Sequence, residues 1–411
     1  MRILVVVDPE RFDFFAYLSK DVSNEYFLIW YEKEADMKLS ASDLPIKFKD
    51  IFYWTQFITP GQLLKTIKPD RVVFFEIVDL RQIALIVTAN AQQVSTFYLE
   101  HGAAGDKDAA QKLWWDEELY KKHKVPYFKK RIRDLGRVVK SKVFYYSVFR
   151  GFNSSFSYWK YVCLPFHMLR MLPNKALSKN IFEERVPKFA ITFNWANFEQ
   201  FQLYTGCSTK RLLLTGIPFF DRYFSNDAIV EDYVVYIDHP YLEQKFLNWN
   251  EGHHRKIAEN LFRFAIEKKT HLYIKLHPAS DLSNWKKYQI DEKYITIIKE
   301  GDYTDLFLKS KLILGFSSSL INGFLCAKKN VVLLGWHPVP QVFGSDFSKT
   351  GLCHLSLDPQ ELFTKNDDWL AHNFAIENEA CYNEFLQKFN YPFDGKATER
   401  VINAILENEV S

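Results

Sequence analysis

Short apolar runs rich in β-branched and aromatic residues alternate with amphipathic stretches along most of the chain. This alternation constrains the fold more than any other feature of the sequence. The apolar runs have the length of buried strands, and the amphipathic stretches have the periodicity of helices. Such a pattern predicts βαβ units and parallel sheets. A chain of 411 residues with 47% apolar content has enough material for two or three domains of this kind.

A polar break over residues 219–232 divides the pattern into two series. The first series predicts strands over 3–7, 26–30, 51–54, 72–77, 96–99, 189–193 and 211–215. The second predicts strands over 233–237, 272–276, 295–298, 312–315 and 331–334. Predicted helices lie over 60–67, 81–91, 196–204, 252–268 and 320–327. We therefore expect an N-terminal domain over 1–218, a C-terminal domain over 225–378 and a helical segment over 379–411 that returns to the first domain.

Positive charge is concentrated in residues 121–180. This segment holds 15 Lys/Arg and a single acidic residue, Asp134, whereas the whole chain has a formal charge of +3. It also contains 12 aromatic residues. Basic and aromatic side chains together suit an anionic membrane surface, where the rings lie at headgroup level. Nucleic-acid binding and a solvated helical hairpin are the alternatives, but no nucleic-acid-binding motif accompanies the segment. We expect a basic, aromatic helical insertion that contacts membrane or a lipid-linked acceptor.

The five cysteines include no CxxC pair, so neither a disulfide framework nor a zinc site is indicated. The apolar run over 3–7 is too short for a signal peptide, and no run reaches the length of a transmembrane helix. These features predict a cytoplasmic protein, peripheral on the inner face of the plasma membrane.

A histidine followed by proline comes just after each of two predicted strands of the second series. One is followed by His277-Pro278 and the other by Asp238-His239-Pro240. Proline stops a strand and keeps the preceding residue extended, which directs the imidazole out of the sheet edge. Doubly wound sheets bind ligands at that edge. His277 is therefore a candidate phosphate ligand, with strand capping as the alternative, and His239 either contacts the same ligand or only turns the chain.

The stretch Gly315-Phe316-Ser317-Ser318-Ser319 joins a predicted strand to a predicted helix. Strand, Gly/Ser turn and helix form a phosphate-binding layout, because the helix N-terminus offers N–H groups and a partial positive charge. Serine hydroxyls add donors. A plain N-cap role for Ser318 or Ser319 is compatible with this. The glycine-rich loop with lysine of P-loop proteins is absent.

In the first series, Glu100-His101-Gly102 follows the strand predicted over 96–99. The carboxylate or the imidazole could take a proton from a hydroxyl group, and glycine allows close approach of the backbone. An exposed loop with a helix cap is the alternative. Asp8, after the first strand, is a weaker candidate.

Taken in order, Glu100-His101-Gly102, His277-Pro278 and the serines 317–319 resemble motifs of GT-B enzymes that build bacterial surface carbohydrates. The resemblance is to sialyl- and polysialyltransferases, CMP-Kdo transferases and CDP-glycerol glycerophosphotransferases. Two further stretches resemble segments of this group: residues 214–218 with Asp221, and residues 394–397 with Arg400.

The resemblance implies an α/β GT-B fold, with two Rossmann-like domains facing a cleft. It implies an inverting transfer that needs neither a metal nor a cofactor. His277, Pro278 and the serines would hold the nucleotide phosphate, and an N-domain group would deprotonate the acceptor. Glu100 matches the acid of the sialyltransferases and is the first candidate base. His101 matches the His-Gly of the glycerophosphotransferases and is the second.

The expected donor is CMP-linked sialic acid or Kdo, and the expected acceptor is a growing, lipid-linked glycan such as lipooligosaccharide or capsule. No nucleic-acid partner is expected. The alternatives are a CDP-glycerol or CDP-ribitol phosphotransferase, a sugar-nucleotide epimerase on the same fold, and a non-catalytic, membrane-associated scaffold with a degenerate nucleotide site.

Overall fold

A computed structural model of the chain describes most of its residues, and these form two α/β units. The described ranges are 1–7, 16–30, 32–36, 44, 46–102, 135–148, 150–224, 229–245, 248–289, 293–316, 318–338 and 347–409. The first unit comprises the described residues up to Phe219 together with those from Lys396 on. The second unit comprises those from Phe220 to Gly395.

The first unit is built on a seven-stranded parallel sheet. In chain order its strands are β1 Arg2–Val6, β2 Glu25–Trp30, β3 Asp50–Tyr53, β4 Arg71–Phe74, β5 Ser95–Leu99, β6 Phe189–Thr192 and β7 Leu212–Leu214. Their spatial order is β3-β2-β1-β4-β5-β6-β7, so the direction of winding reverses between β1 and β4. The central strands β4 and β5 are buried along their whole length, as expected where helices cover both faces of a sheet.

The helices of the first unit lie between its strands along the chain. They are α1 Pro60–Ile67, α2 Leu80–Ala91, α3 Leu135–Tyr146, α4 Ser155–Arg170, α5 Pro173–Lys179 and α6 Trp195–Thr205. Within the predicted basic insertion, α3 to α5 are described and residues 121–134 lie outside the described ranges. Tyr145 and Tyr161 join α3 to α4, because each phenol donates to the backbone carbonyl of the other residue, at 2.6 and 2.5 Å. Their rings stack at 3.9 Å.

The second unit has a six-stranded parallel sheet. Its strands are β8 Glu231–Ile237, β9 His271–Lys275, β10 Ile295–Ile298, β11 Ser310–Gly315, β12 Val331–Leu334 and β13 His354–Ser356. The spatial order is β10-β9-β8-β11-β12-β13, and the winding reverses between β8 and β11. Ile237 is in register with both Lys275 and Gly315. The loops that follow β8, β9 and β11 therefore start at the same level of the sheet.

Helices of the second unit follow the same alternation. They are α7 Glu251–Glu267, α8 Leu282–Lys286, α9 Thr304–Lys309, α10 Ser319–Cys326, α11 Pro359–Thr364, α12 Asp367–Ala371, α13 Phe374–Glu377 and α14 Glu379–Phe389. No helix in the described ranges is long and apolar enough to cross a bilayer.

The chain returns to the first unit later than the sequence predicts. The predicted return at residue 379 is wrong, because α14 packs within the second unit. Tyr382 of α14 donates from its phenol to the carbonyl of Cys326, at 2.6 Å. The crossing follows Gly395, whose φ of 75° favours glycine. The last helix, α15 Ala397–Glu407, lies in the first unit, where Arg400 Nε donates to the carbonyl of Thr215 at 2.8 Å.

Candidate functional site

The two predicted strand-end histidines of the second unit lie side by side. Because β8 and β9 pair in register, His239 and His277 leave the sheet at neighbouring positions. Their rings are nearly parallel, with planes 15° apart and centroids 5.8 Å apart. The N–H of Asp238 donates to the carbonyl of Lys275 at 2.9 Å, which extends the ladder to the base of the pair.

The turn after β9 fixes the orientation of the His277 ring. The N–H of Ala279 donates to His277 Nδ1 at 3.0 Å, and the N–H of Ser280 donates to the His277 carbonyl at 2.9 Å. Pro278 is the first residue inside this turn, where its fixed φ is favourable. Since Nδ1 accepts, the neutral imidazole carries its proton on Nε2. His277 Nε2 is thus a hydrogen-bond donor of the kind that a phosphate oxygen requires.

A third histidine-proline step, His337-Pro338, follows β12 on the same sheet, and the sequence analysis missed it. His337 lies 5.0 Å from the ring of Phe316 and 6.0 Å from that of Tyr241. Tyr241 in turn stacks on His239 at 4.3 Å. The signal that could have found His337 is the same as for His277: an apolar run, here over 331–334, closed by histidine and proline.

Burial keeps two of these imidazoles uncharged. It lowers the pKa of His239 to about 4, and the neighbouring His277 and His337 add to the effect. It also lowers the pKa of His337 to about 4, with a contribution from His253. In the described part of the chain, Nδ1 of His239 and Nδ1 of His337 are buried without a hydrogen-bond partner. Buried polar atoms of this kind are usually satisfied by water or by a ligand.

A buried carboxyl group lies at the base of the histidine pair. Asp238 is only 4% exposed, and burial raises the pKa of its carboxyl group to about 7. Hydrogen bonding from Ser280 opposes this shift. His239 and His337 are uncharged at neutral pH, so a ligand at this edge of the second sheet does not require these two side chains to be buried as cations.

The N-terminus of α10 opens at the end of β11. Ser318 is its N-cap and accepts from the N–H of Leu320 at 3.3 Å, while Ser319 is the first helical residue. Ser317 lies outside the described ranges. A Cβ added at Gly315 would meet Ile321 at 3.5 Å, an ordinary contact, so packing alone does not require glycine there. The N–H of Ile321 also donates to the Ser318 carbonyl, at 3.0 Å, so an anion-binding role at this helix end would fall to the N–H of Ser319.

In the first unit, Glu100 is fixed directly after β5. Its backbone N–H donates to the carbonyl of Ile191 at 3.0 Å. The phenol of Tyr98 donates to Glu100 Oε2 and the N–H of His101 donates to Glu100 Oε1, both at 3.0 Å. Burial, with the charge of Glu100, raises the pKa of Tyr98, so the phenol keeps its proton. Glu100 is 8% exposed and both of its oxygens accept a hydrogen bond.

The imidazole of His101 lies between two carboxylates. Its Nδ1 is 3.9 Å from Glu100 Oε1, and its Nε2 is 3.9 Å from Glu76 Oε1. Its side chain is 31% exposed, against 11% for Glu100. Asn197 Nδ2 donates to the carbonyl of Gly102 at 3.1 Å, and a Cβ at Gly102 would meet nothing within 4 Å. His101 thus borders open space, whereas Glu100 lies beside it and is more deeply buried.

Glu76 is a residue that the sequence analysis missed. It follows β4, the neighbour of β5 in the sheet, which brings it to the same edge as His101. The available signal was a carboxylate that interrupts the apolar run over 72–78. Asp8, the weaker candidate, lies outside the described ranges. Among the residues that the structure describes, no group of three or more His, Cys, Asp or Glu is placed to hold a metal ion.

Comparison with known proteins identifies the fold. No protein-family model and no curated protein matches the sequence. Among solved structures, the UDP-GlcNAc 2-epimerase of Neisseria meningitidis bound to UDP-GlcNAc has a TM-score of 0.50 at 14% identity, over 99% of this chain and 100% of that one. The UDP-GlcNAc 2-epimerase of Methanocaldococcus jannaschii has a TM-score of 0.51 at 13% identity, over 99% and 100%.

The wall teichoic acid polymerase TagF is similar to the same degree. Its TM-score is 0.51 at 13% identity, over 98% of this chain and 88% of that one. At these identities the similarity concerns the fold. The prediction of an α/β, GT-B-type chain with two Rossmann-like domains is confirmed, because each unit is a parallel, doubly wound sheet covered by helices.

Proposed function

We propose that the chain is an inverting glycosyltransferase that needs no metal and uses a CMP-activated sugar, sialic acid or Kdo. It would extend a bacterial surface glycan such as lipooligosaccharide or capsule at the inner face of the plasma membrane. The observation that carries the proposal is the convergence of three strand-end histidines and the N-terminus of α10 on one edge of the second sheet.

This edge suits the phosphate of a nucleotide leaving group. His277 Nε2 is positioned as a donor by the turn that occupies its Nδ1. The N-terminus of α10 adds the N–H of Ser319 and a partial positive charge. Fixed donors of this kind stabilise the charge that builds up on the leaving phosphate as the glycosidic bond forms. His239 and His337 would complete the lining of the donor site.

The first unit supplies the group that takes the proton of the acceptor hydroxyl. The geometry favours His101 for this role, because its side chain is more exposed than that of Glu100 and both of its nitrogens are near carboxylates. Two carboxylates orient an imidazole and stabilise the imidazolium that forms on proton transfer. Glu100, the first candidate from the sequence, would then orient His101, since hydrogen bonds already occupy both of its oxygens.

A second candidate function is transfer of glycerol phosphate or ribitol phosphate from its CDP form. It is favoured by the His101-Gly102 pair and by the similarity in fold to a teichoic acid polymerase. The same donor site would serve, but the product would be a phosphodiester instead of a glycoside. Mass spectrometry of the product distinguishes the two reactions.

A third candidate is epimerisation of a nucleotide sugar. It is favoured by the similarity in fold to two UDP-GlcNAc 2-epimerases. This reaction needs no acceptor. NMR of the nucleotide sugar after incubation with the enzyme alone would reveal it.

A thermal-shift panel of CMP, CDP, UDP, GDP and ADP tests the proposal. Selective stabilisation by CMP is expected, because a ligand that binds only the folded state raises the melting temperature. Stabilisation by CDP alone would favour the phosphotransferase, and a preference for UDP would favour the epimerase. A response to none of the five, in a protein that also fails to turn over any donor, would contradict an enzymatic role and leave the scaffold alternative.

A further inference from the structure

Helix α4 is apolar on two opposite faces, although only one of them packs against the protein. Tyr161, Leu164 and Met168 form the inner face and are buried in the core of the first unit. On the other side, Phe156, Trp159 and Phe166 are 65%, 65% and 60% exposed. Their spacing of three and seven residues places these three rings along one side of the helix. We call them the aromatic stripe.

Helix α3, the neighbour of α4, carries a second exposed apolar row. Leu135, Val139 and Val143 are spaced by four residues and are each at least half exposed. A helix that stays in water normally turns charged or polar side chains outward, so exposed apolar rows on two successive helices indicate an interaction surface. The reciprocal hydrogen bonds of Tyr145 and Tyr161 hold these two helices together.

The charge around these rows identifies the partner. Residues 135–180 contain eight Lys/Arg and no Asp or Glu. Phe156 belongs to the aromatic stripe, and Lys160 places its Nζ 4.4 Å from the centre of the Phe156 ring. Arg170 lies four residues beyond Phe166, so it continues the same side of the helix. Aromatic rings flanked by cations match a bilayer interface, where rings enter the headgroup layer and cations meet lipid phosphates.

We infer that α3 and α4 dock on the surface of an anionic lipid bilayer, with Phe156, Trp159 and Phe166 inserted at headgroup level. The contact is interfacial, in keeping with the absence, in the described ranges, of a helix that could cross a bilayer. It goes beyond the proposed reaction, because the aromatic stripe takes no part in the donor site or the candidate base. Failure of the docking would remove the membrane location from the proposed function but leave its reaction untouched.

Vesicle co-sedimentation of the full chain tests the inference. Vesicles of phosphatidylcholine alone are compared with vesicles that contain phosphatidylglycerol as well, at low and high salt. The stripe variant is F156S/W159S/F166S. The matched control is V22S/I58S/I376S, which removes three apolar side chains that are at least as exposed as the stripe from other parts of the surface. Circular dichroism and the melting temperature without ligand confirm that both variants are folded.

We expect the wild type and the control to bind anionic vesicles, with affinity that falls as salt rises. The stripe variant should bind roughly tenfold more weakly or worse, because three large apolar side chains no longer enter the interface. Equal binding by the stripe variant and the control would overturn the inference, as would equal binding to neutral vesicles.

Light scattering tests whether the stripe instead joins two copies of the chain. That reading would hold if the wild type were a dimer, the stripe variant a monomer, and vesicle binding the same for both.

Discussion

The imidazoles of His239 and His277 lie 5.8 Å apart in nearly parallel planes, each directly before a proline in the loop that follows its strand. Their closeness follows from the parallel register of β8 and β9. Two protonated imidazoles at this distance would repel each other, and burial already lowers the pKa of His239. The two imidazoles are therefore suited to donate hydrogen bonds to an anion while they themselves remain neutral.

Replacing His277 with alanine should weaken CMP binding by about tenfold or more, equivalent to about 1.4 kcal/mol, because a directed donor to the phosphate is lost. H277Q should retain part of the affinity, since its amide can donate from a similar position. Titration calorimetry measures both, with H372A, on a different part of the second unit, as the control. Unchanged affinity in H277A would refute its phosphate role.

Replacing His337 with phenylalanine should also weaken nucleotide binding, by a factor of a few up to about tenfold. The substitution keeps an aromatic ring against Phe316 and Tyr241 but removes both nitrogens. Its melting temperature without ligand should therefore stay near that of the wild type. If H337F binds every nucleotide as well as the wild type does, the third histidine-proline step serves packing alone.

The candidate base is identified by comparing H101Q with E100Q. If His101 takes the proton, H101Q should lower turnover by about a hundredfold or more, with the CMP-induced thermal shift preserved. E100Q should also lower turnover, but less, because it removes only the charge that supports the imidazole. A larger loss in E100Q than in H101Q would restore Glu100 as the base. Turnover near wild type in E100Q would exclude it.

Much of this architecture is predictable because local pattern and burial agree. Every predicted strand corresponds to an observed one, and the helix predicted over 60–67 is exact, since Thr59 caps it and Pro60 begins it. β4 ends at Phe74 instead of residue 77, although the apolar run continues through Phe75. Apolar residues can stay buried beyond the last ladder bond, so composition alone does not set a strand end.

Features that depend on tertiary contacts were not predicted from the sequence. The edge strand β13, with the sequence His354-Leu355-Ser356, is too short and too polar to stand out. The late return of the chain depends on the packing of α14 within the second unit, which has no local signal. Glu76 and His101 are brought together by the pairing of β4 with β5. Each of these depends on which elements become neighbours, and periodicity does not carry that information.

Replacing Asp238 with asparagine should change the pH dependence of stability. Burial raises the pKa of the Asp238 carboxyl to about 7, above its value in the unfolded chain. The folded state therefore binds the proton more tightly, and this contribution to stability is lost as pH rises through 7. D238N stays neutral, so its stability relative to the wild type should increase from pH 5 to about pH 7 and level off above pH 7. Urea unfolding at several pH values measures this.

The control for that series is D305N, on the exposed start of α9. Its stability relative to the wild type should vary much less over the same range. The histidines act in the opposite sense: since burial lowers the pKa of His239 and His337 to about 4, they favour the folded state less as pH falls from about 6.5 towards 4. Comparing each variant with the wild type at the same pH cancels that background. A D238N difference that is constant from pH 5 to 8 would contradict a protonated, buried Asp238.

Replacing Gly323 in α10 with alanine should destabilise the second unit, although alanine is the better helix former. A Cβ at this position would lie 2.9 Å from ring atoms of both Phe220 and Tyr223, which are buried and cannot move aside freely. We expect a loss of about 1–3 kcal/mol from overpacking, against a gain of about 1 kcal/mol in helix propensity. G136A in α3 is the matched control, because a Cβ there meets nothing within 4 Å and only the propensity gain applies.

Since α10 carries Ser318 and Ser319 at its N-terminus, displacement of the helix should also weaken CMP binding in G323A. A G323A protein as stable as G136A would show that the contact with Phe220 and Tyr223 is looser than the structure indicates.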